Sequence, residues 1–343
     1  MSPVTRIADP NEYRYWKIMR AIGFALLLFL LFLYLFQGSL TLLEWILSWA
    51  NVPRVPAVVI HHLLYSAGYL ASFMVPVAFL RLFIRHTGYE YQPMRAGLRL
   101  SPWLPLILLG GVAAIWTLAY LNASMVSVFR YADFSAQQIW QSNDGMEWYE
   151  LVLEFIMICM VPAFCEEFLF RGAILTNCLP FGRGTAILVS SLLFGLMHQN
   201  AEQIFYAFGA GLVLGLVYER TGSIWNCVFL HMVNNFLSTF EPVFLGGFSE
   251  RFAGIAGSAF EAILILLGMI AAVVLILRFS PRKPEFREGI YGRSVPADDA
   301  YASCPVGAKQ IIRRFFNAPM IVFLVITAVQ ILALIGMAVF YAY

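Results

Sequence analysis

Residues 21–36 of the chain are AIGFALLLFLLFLYLF, an apolar run that contains no charged side chain. A helix of about 20 such residues crosses the roughly 30 Å hydrocarbon layer of a bilayer, and runs of this kind recur along all 343 residues. The pattern predicts an all-α fold, a polytopic transmembrane helical bundle of about nine spans. We place them near residues 19–37, 57–80, 104–125, 150–178, 185–200, 203–219, 223–244, 255–278 and 318–341.

The composition excludes several classes of protein. Hydrophobic residues make up 61% of the chain and charged residues 12%, and the mean hydropathy of +0.76 is far above that of a soluble domain. A net charge of +2 on such a chain provides no basic surface for nucleic acid. A soluble enzyme, a nucleic-acid binder and a disordered scaffold are therefore excluded. The expected surroundings are the lipid bilayer.

The cysteines are predicted to be buried thiols. None of the five has the C-x-x-C spacing of a zinc site. Four of them lie in or at the ends of apolar runs, where free cysteine behaves as a small apolar residue. We therefore expect neither disulfides nor cysteine-bound zinc.

The basic residues predict the orientation, because Lys and Arg are retained on the cytoplasmic side. With the N-terminus inside, 19 of the 22 Lys and Arg residues fall on that side. The second external loop carries acidic residues instead, among them Asp133 and Asp144. We therefore predict a cytoplasmic N-terminus.

The spans and polar segments divide the chain into five parts. Three N-terminal spans with the external acidic loop come first, followed by a core of four spans and an eighth span. A basic cytoplasmic linker then leads to the ninth span. The corresponding ranges are 1–146, 147–244, 245–280, 281–316 and 317–343. Between the first two spans, Leu40–Ala50 is too short to cross a bilayer and is expected to form a separate interfacial helix.

Ionisable side chains in three predicted spans are candidates for catalysis. Each such group costs about 2.5–3.5 kcal/mol to insert into a membrane, so those that persist are usually functional. On a helix, Glu167 lies over Arg171, which leaves Glu166 directed elsewhere as the candidate base. In a later span, His231 and Asn235 are four residues apart and share a face.

The helical rise places these groups at compatible depths. From the cytoplasmic ends of their spans, Glu166 lies about 18 Å deep, His198 about 20 Å and His231 about 12 Å. We therefore expect one site within the membrane. A carboxylate that activates water, beside hydrogen-bond donors for an oxyanion, is suited to amide hydrolysis.

The same residues resemble the motifs of the CPBP family, which comprises the type II CAAX prenyl endopeptidases and related bacteriocin-processing or self-immunity proteins, also called Abi. The motifs follow in order as Glu166-Glu167-x-x-x-Arg171, Phe194-x-x-x-His198 and His231-x-x-x-Asn235. The segment Gly211-x-x-x-Gly215, followed by Thr221-Gly222-Ser223-Ile224-Trp225, is similar to the remaining motif block. The resemblance covers residues 147–244.

The resemblance implies an intramembrane endopeptidase acting on membrane-associated proteins or peptides. It makes Glu166 the catalytic glutamate that activates water. His198, His231 and Asn235 would complete the site and hold the oxyanion, with Glu167 and Arg171 in support. The segment 221–226 is similar to the prokaryotic branch, in which CAAX prenylation is not generally expected. The implied location is the prokaryotic plasma membrane.

Other readings of these residues stay open at this point. If the site bound zinc, Glu166, His198 and His231 would be the ligands, but H-E-x-x-H is absent and Asn is an unusual zinc ligand. We therefore prefer a glutamate mechanism without a metal or other cofactor. A catalytically inactive immunity or regulatory member of the family is the alternative function, and a transporter ranks third.

Overall fold

The computed structural model describes residues 9–86, 100–130, 147–246, 248–279, 286–288, 294–296, 304 and 306–342. The external acidic loop and most of the polar part of the predicted linker lie outside these residues. Two strands of three residues, β1 (Phe286–Glu288) and β2 (Ser294–Pro296), pair with each other. The described remainder is mainly helical. The predicted fold class is confirmed, and the chain is an integral membrane protein of all-α architecture.

Twelve α-helices are described, and four of them, α4, α5, α6 and α11, have eight residues or fewer. They are α1 (Pro10–Trp49), α2 (Arg54–His86), α3 (Leu104–Arg130), α4 (Trp148–Glu154), α5 (Val161–Glu167), α6 (Thr176–Cys178), α7 (Arg183–Met197), α8 (Ala201–Thr221), α9 (Ile224–Leu245), α10 (Glu250–Phe279), α11 (Ala308–Phe315) and α12 (Ala318–Ala342). Between α4 and α7 the chain also forms two π-helical segments, Phe155–Met160 and Phe168–Leu175, and a 3₁₀ turn, Leu179–Phe181.

Each of the nine predicted spans coincides with helical structure. Within the described residues, six helices are long and apolar enough to cross a membrane. They are Pro10–Trp49, Arg54–His86, Leu104–Asn122, Ala201–Thr221, Arg251–Arg278 and Ala318–Met337. The other three predicted spans are those that carry the candidate catalytic residues: the interrupted segment 148–181, the 15-residue α7, and α9 with its polar side chains. The count of nine and the cytoplasmic N-terminus stay predictions.

The first helix is longer than expected. It runs without interruption to Trp49, so the prediction of a separate interfacial helix over Leu40–Ala50 was wrong. Gly38 does not break the helix, because a helix interior tolerates a single glycine at a cost of about 1 kcal/mol. The helix ends where Asn51 adopts a φ of 51° and Pro53 follows.

The chain forms two compact units, which are described separately. The first comprises Met1–Arg95, Cys165–Ser190 and Pro296–Ala328, and the second comprises Ala96–Phe164, Ser191–Val295 and Val329–Tyr343. Glu166, Glu167 and Arg171 therefore belong to the first unit. His198, His231 and Asn235 belong to the second.

In the first unit, α1 and α2 pack through aromatic side chains. The ring centroids of Phe29 and Phe73 are 4.9 Å apart, and those of Phe36 and Tyr65 are 5.4 Å apart. Gly68 makes room for this packing, since a Cβ added there would lie 2.0 Å from the Phe36 ring. Aromatic pairs of this edge-to-face kind stabilise a core beyond their buried area.

The N-terminal end of α1 also holds the C-terminal part of the first unit. The buried carboxylate of Glu12 accepts hydrogen bonds from Arg313 and from Arg314, the latter at 2.7 Å. Further along, a Cβ at Gly23 would lie 2.8 Å from the backbone nitrogen of Met320, so α1 and α12 approach closely there. Residues distant in sequence are thereby joined within one unit.

The second unit is built around α3, which contacts α8, α9 and α10. Its close approach to α10 depends on a small residue, because a Cβ at Gly268 would lie 2.1 Å from that of Ala113. Small residues at helix interfaces are typical of membrane proteins, where packing drives association.

The five cysteines, which are all described, are buried and free of disulfides, as predicted.

Candidate active site

The first unit contains a fully buried ion pair at the end of α5. Arg171 Nη1 donates to Glu167 Oε1 at 2.8 Å, and both side chains are 0% exposed. The predicted pairing of these two residues is confirmed. A charged pair this deep is held only where each charge neutralises the other.

Glu166 precedes this pair and is 4% exposed. Its Oε1 accepts a hydrogen bond of 2.5 Å from the hydroxyl of Tyr69 in α2. The sequence predicted no partner for Glu166 in its own helix, and Tyr69 of α2 was not predicted as its partner. The signal available was a tyrosine in an apolar span, four residues from Tyr65 and from Phe73.

The backbone on both sides of α5 departs from regular α-helix. The π-helical segments Phe155–Met160 and Phe168–Leu175 flank it, so Glu166 and Glu167 lie in one α-helical stretch of seven residues between them. π-Helical turns are rare and occur frequently at functional sites, because they change the direction of side chains along a helix.

In the second unit, His198 follows directly after α7. Its Nδ1 lies 2.9 Å from the carbonyl oxygen of Phe194. A carbonyl oxygen only accepts, so this nitrogen must be the one that carries hydrogen. In a neutral ring, Nε2 is then an acceptor.

Phe194 contacts both histidines of the second unit. Its ring centroid is 5.3 Å from that of His198 and 5.9 Å from that of His231, both in edge-to-face geometry. His231 is 7% exposed. The first residue of the Phe194-x-x-x-His198 motif therefore packs against both imidazoles and restricts their orientation.

Asn235 belongs to a chain of hydrogen bonds. Its Nδ2 donates to the carbonyl oxygen of Ile158 at 3.2 Å, and its Oδ1 accepts from Asn234 Nδ2 at 3.4 Å. Asn234 Nδ2 also donates to the hydroxyl of Tyr206 at 3.0 Å. Pro162, four residues after Ile158, has no N–H and cannot supply the α-helical hydrogen bond to that carbonyl. Neither Asn234 nor Tyr206 was predicted from the sequence.

The glycines of the second unit allow α7 and α8 to approach each other. A Cβ at Gly195 would lie 2.8 Å from the carbonyl oxygen of Ile204, and one at Gly211 would lie 3.0 Å from Ser191 Cα. Gly211, the first residue of the Gly211-x-x-x-Gly215 segment, therefore allows close helix packing.

The three alternative zinc ligands are divided between the two units. In the part of the chain that the structure describes, no three His, Cys, Asp or Glu side chains are grouped as metal ligands. Zinc sites need three or four such ligands at about 2.0–2.3 Å. Glu166 belongs to the first unit, and His198 and His231 belong to the second, so the metal-free mechanism stays a prediction and we derive no step through a metal.

The stretch that contains the candidate site is similar to a known protein family. The family model for "Type II CAAX prenyl endopeptidase Rce1-like" matches residues 148–237. The chain is similar to this family over that stretch. The CPBP resemblance is confirmed over that stretch, which contains all six residues named by its motifs: Glu166, Glu167, Arg171, His198, His231 and Asn235.

A curated relative supports the same assignment. Over 98 residues the chain is 32% identical to "Putative membrane peptidase YdiL" of Bacillus subtilis (strain 168). The alignment covers 26% of this chain and 39% of the relative, so the chain matches about two fifths of that protein's length. No solved structure matches the chain.

Proposed function

We propose that the protein is an intramembrane endopeptidase of the glutamate type, which hydrolyses peptide bonds of membrane-associated proteins or peptides. The observation that carries the proposal is the buried carboxylate of Glu166, held by a tyrosine hydroxyl beside a buried Glu167–Arg171 pair. Placing an ionisable carboxylate in a membrane helix costs free energy, and a catalytic role would explain why the chain keeps it. The match of residues 148–237 to the family model of a prenyl endopeptidase supports this choice.

In the proposed reaction, Glu166 removes a proton from a water molecule while the water oxygen attacks the carbonyl carbon of the substrate amide. The carbonyl oxygen becomes an oxyanion in the tetrahedral intermediate. Glu166 then returns the proton to the leaving nitrogen, and the C–N bond breaks. The buried Glu167–Arg171 pair acts in support, by fixing the helix that carries Glu166.

Donation to the oxyanion is assigned to His231 and Asn235. A primary amide has two N–H hydrogens, so Asn235 can donate one to Ile158 and direct the other to a substrate oxygen. Fixed donors of this kind stabilise a developing charge because they need no reorganisation during the reaction. The hydrogen bonds of Asn235 would supply that preorganisation.

His198 receives a different role in this proposal. Because its Nδ1 donates to Phe194, the neutral ring offers Nε2 as an acceptor, which suits holding the attacking water. The expectation from the sequence was that His198 would help to hold the oxyanion. An imidazolium could still do so, since both of its nitrogens then carry hydrogen.

The proposal is tested by comparing protein N-termini in membranes from cells that express wild type, Glu166→Gln or Glu44→Gln at equal levels. Glu166→Gln keeps the shape of the side chain but removes the base, whereas Glu44 has a largely exposed side chain outside the proposed site. We expect a set of termini that is present with wild type and Glu44→Gln and absent with Glu166→Gln. These termini would also name the substrate.

Identical termini from all three strains would refute the protease proposal. If the cellular phenotype also persisted with Glu166→Gln, the catalytically inactive immunity or regulatory function would be favoured instead. The location in a prokaryotic plasma membrane is part of the same proposal.

A further inference from the structure

Tyr69 lies outside residues 148–237, which match the family model, but it contacts Glu166, the proposed base. It is in α2, whereas the family model begins at residue 148. Its hydroxyl donates to Glu166 Oε1 at 2.5 Å, and both residues belong to the first compact unit. The N-terminal spans therefore contribute a side chain to the surroundings of Glu166.

The Tyr69 ring is held from both sides along its own helix. It stacks on Phe73 with ring centroids 4.8 Å apart and an interplanar angle of 27°, and on Tyr65 with centroids 5.9 Å apart and an angle of 17°. Phe73 is held in turn by Phe29 of α1. The hydroxyl thus has a restricted direction, which a surface tyrosine would lack.

A phenol hydroxyl and an ionised carboxylate form a charge-assisted hydrogen bond, in which the phenol donates and the carboxylate accepts. In surroundings of low dielectric constant such a bond is stronger than in water. It fixes the plane of the Glu166 carboxylate through Oε1. A base fixed in this way can meet the proton of a water molecule at a constant distance and angle, which is the geometric requirement of proton abstraction.

We propose that Tyr69 is a positioning residue for the proposed base: its hydroxyl holds the Glu166 carboxylate in the orientation that activates water. This inference rests on the proposed function of Glu166. It assigns to α2, which lies outside residues 148–237, a part in the reaction that is exerted through Glu166.

The first test compares Tyr69→Phe with Tyr15→Phe. Both substitutions remove one tyrosine hydroxyl from the first unit. Tyr69 is half-buried and Tyr15 is buried, but the Tyr15 hydroxyl has no hydrogen-bond partner among the described residues. The substrate is a quenched fluorescent peptide that spans a bond cleaved only when Glu166 is present. We expect kcat to fall about 10- to 100-fold with Tyr69→Phe, the size of one hydrogen bond to a charged group, with KM within about twofold of wild type. Tyr15→Phe should leave both constants unchanged.

A double-variant cycle separates positioning from packing. Glu166→Asp shortens the side chain by one methylene, so its carboxylate no longer reaches the Tyr69 hydroxyl. Adding Tyr69→Phe to Glu166→Asp should then lower kcat by less than about twofold, whereas independent effects would multiply. If Glu166→Asp has no measurable turnover, the comparison of kcat and KM decides alone.

The outcomes distinguish the two proposals. If cleavage depends on Glu166 but Tyr69→Phe retains the wild-type kcat, or loses activity through KM alone, Tyr69 is not a positioning residue and the protease proposal stands. If no cleavage depends on Glu166, the protease proposal itself is wrong. Loss of the folded protein with Tyr69→Phe, measured by its thermal transition against that of Tyr15→Phe, would show a packing role instead.

Discussion

Replacing Arg171 by leucine should destabilise the protein severely. The guanidinium lies 2.8 Å from a carboxylate oxygen of Glu167 and both side chains are 0% exposed. At an effective dielectric constant of about 20, two charges at that distance attract by about 6 kcal/mol before desolvation is subtracted. Removing one partner of a buried ion pair takes away the counter-ion of the other charge. Such changes lower the free energy of unfolding by about 3–5 kcal/mol.

The measurement is thermal unfolding of the purified protein in detergent micelles, followed by tryptophan fluorescence. Arg220→Leu is the matched control, because Arg220 also pairs with a glutamate, Glu219, but is 41% exposed. We expect a smaller loss for Arg220→Leu, because the arginine of that pair is partly exposed, although Glu219 is 7% exposed. Arg171→Leu should lower Tm by on the order of 5–10 °C, because the unfolding entropy of a chain this size gives a few degrees per kcal/mol or less.

The combination of Glu167→Leu with Arg171→Leu completes the test. Removing both charges leaves no uncompensated ion, so the double variant should be more stable than Arg171→Leu alone. The reasoning would be refuted by an Arg171→Leu variant that unfolds at the temperature of Arg220→Leu. A double variant less stable than Arg171→Leu would contradict it equally.

Three further changes have expected outcomes. Pro162→Ala introduces a backbone N–H that competes with the Asn235 amide for the Ile158 carbonyl, so kcat should fall about tenfold. Tm should be unchanged or rise, because proline within a helix costs about 3 kcal/mol. Gly195→Ala brings a Cβ within 2.8 Å of a backbone oxygen and should cost about 1–3 kcal/mol in thermal unfolding, whereas Gly184→Ala in the same helix meets nothing within 4 Å and should cost nothing. Glu12→Ala removes the carboxylate that binds two arginines of α11, and should increase hydrogen exchange across that helix.

Each of these outcomes has a clear opposite. An unchanged kcat with Pro162→Ala would show that the Ile158 carbonyl does not orient Asn235. Equal stability of the two glycine variants would show that α7 and α8 can separate at no cost. Unchanged exchange of α11 with Glu12→Ala would mean that other contacts hold that helix.

The sequence predicts much of this protein because the bilayer restricts what the chain can do. Apolar runs identify the helical structure at all nine predicted spans, since each backbone polar group must be satisfied within its own helix in lipid. The polar helix α11, which lies in the predicted linker, was not predicted. The spacing of Glu167 and Arg171 predicts their ion pair for the same reason: two residues four apart meet on one helix face. Both inferences use only neighbours along the chain.

What the sequence does not predict involves residues that meet through tertiary packing. Tyr69 is 97 residues from Glu166, and no local pattern links them. Likewise, Asn234 resembles any polar residue in a span until Tyr206 is seen beside it. The π-helical segments are also absent from the pattern, because apolar periodicity does not distinguish one hydrogen-bond register of a helix from the next.

The burial of all five cysteines has a practical consequence for determining the topology. A membrane-impermeant maleimide needs an accessible thiol, and the folded native chain presents none. The folded wild-type protein should therefore not be labelled by the maleimide. Single cysteines can then be introduced at the exposed positions Ser48 and Lys309. If the N-terminus is cytoplasmic, intact cells will label at Ser48, and Lys309 will label only once the membrane has been opened.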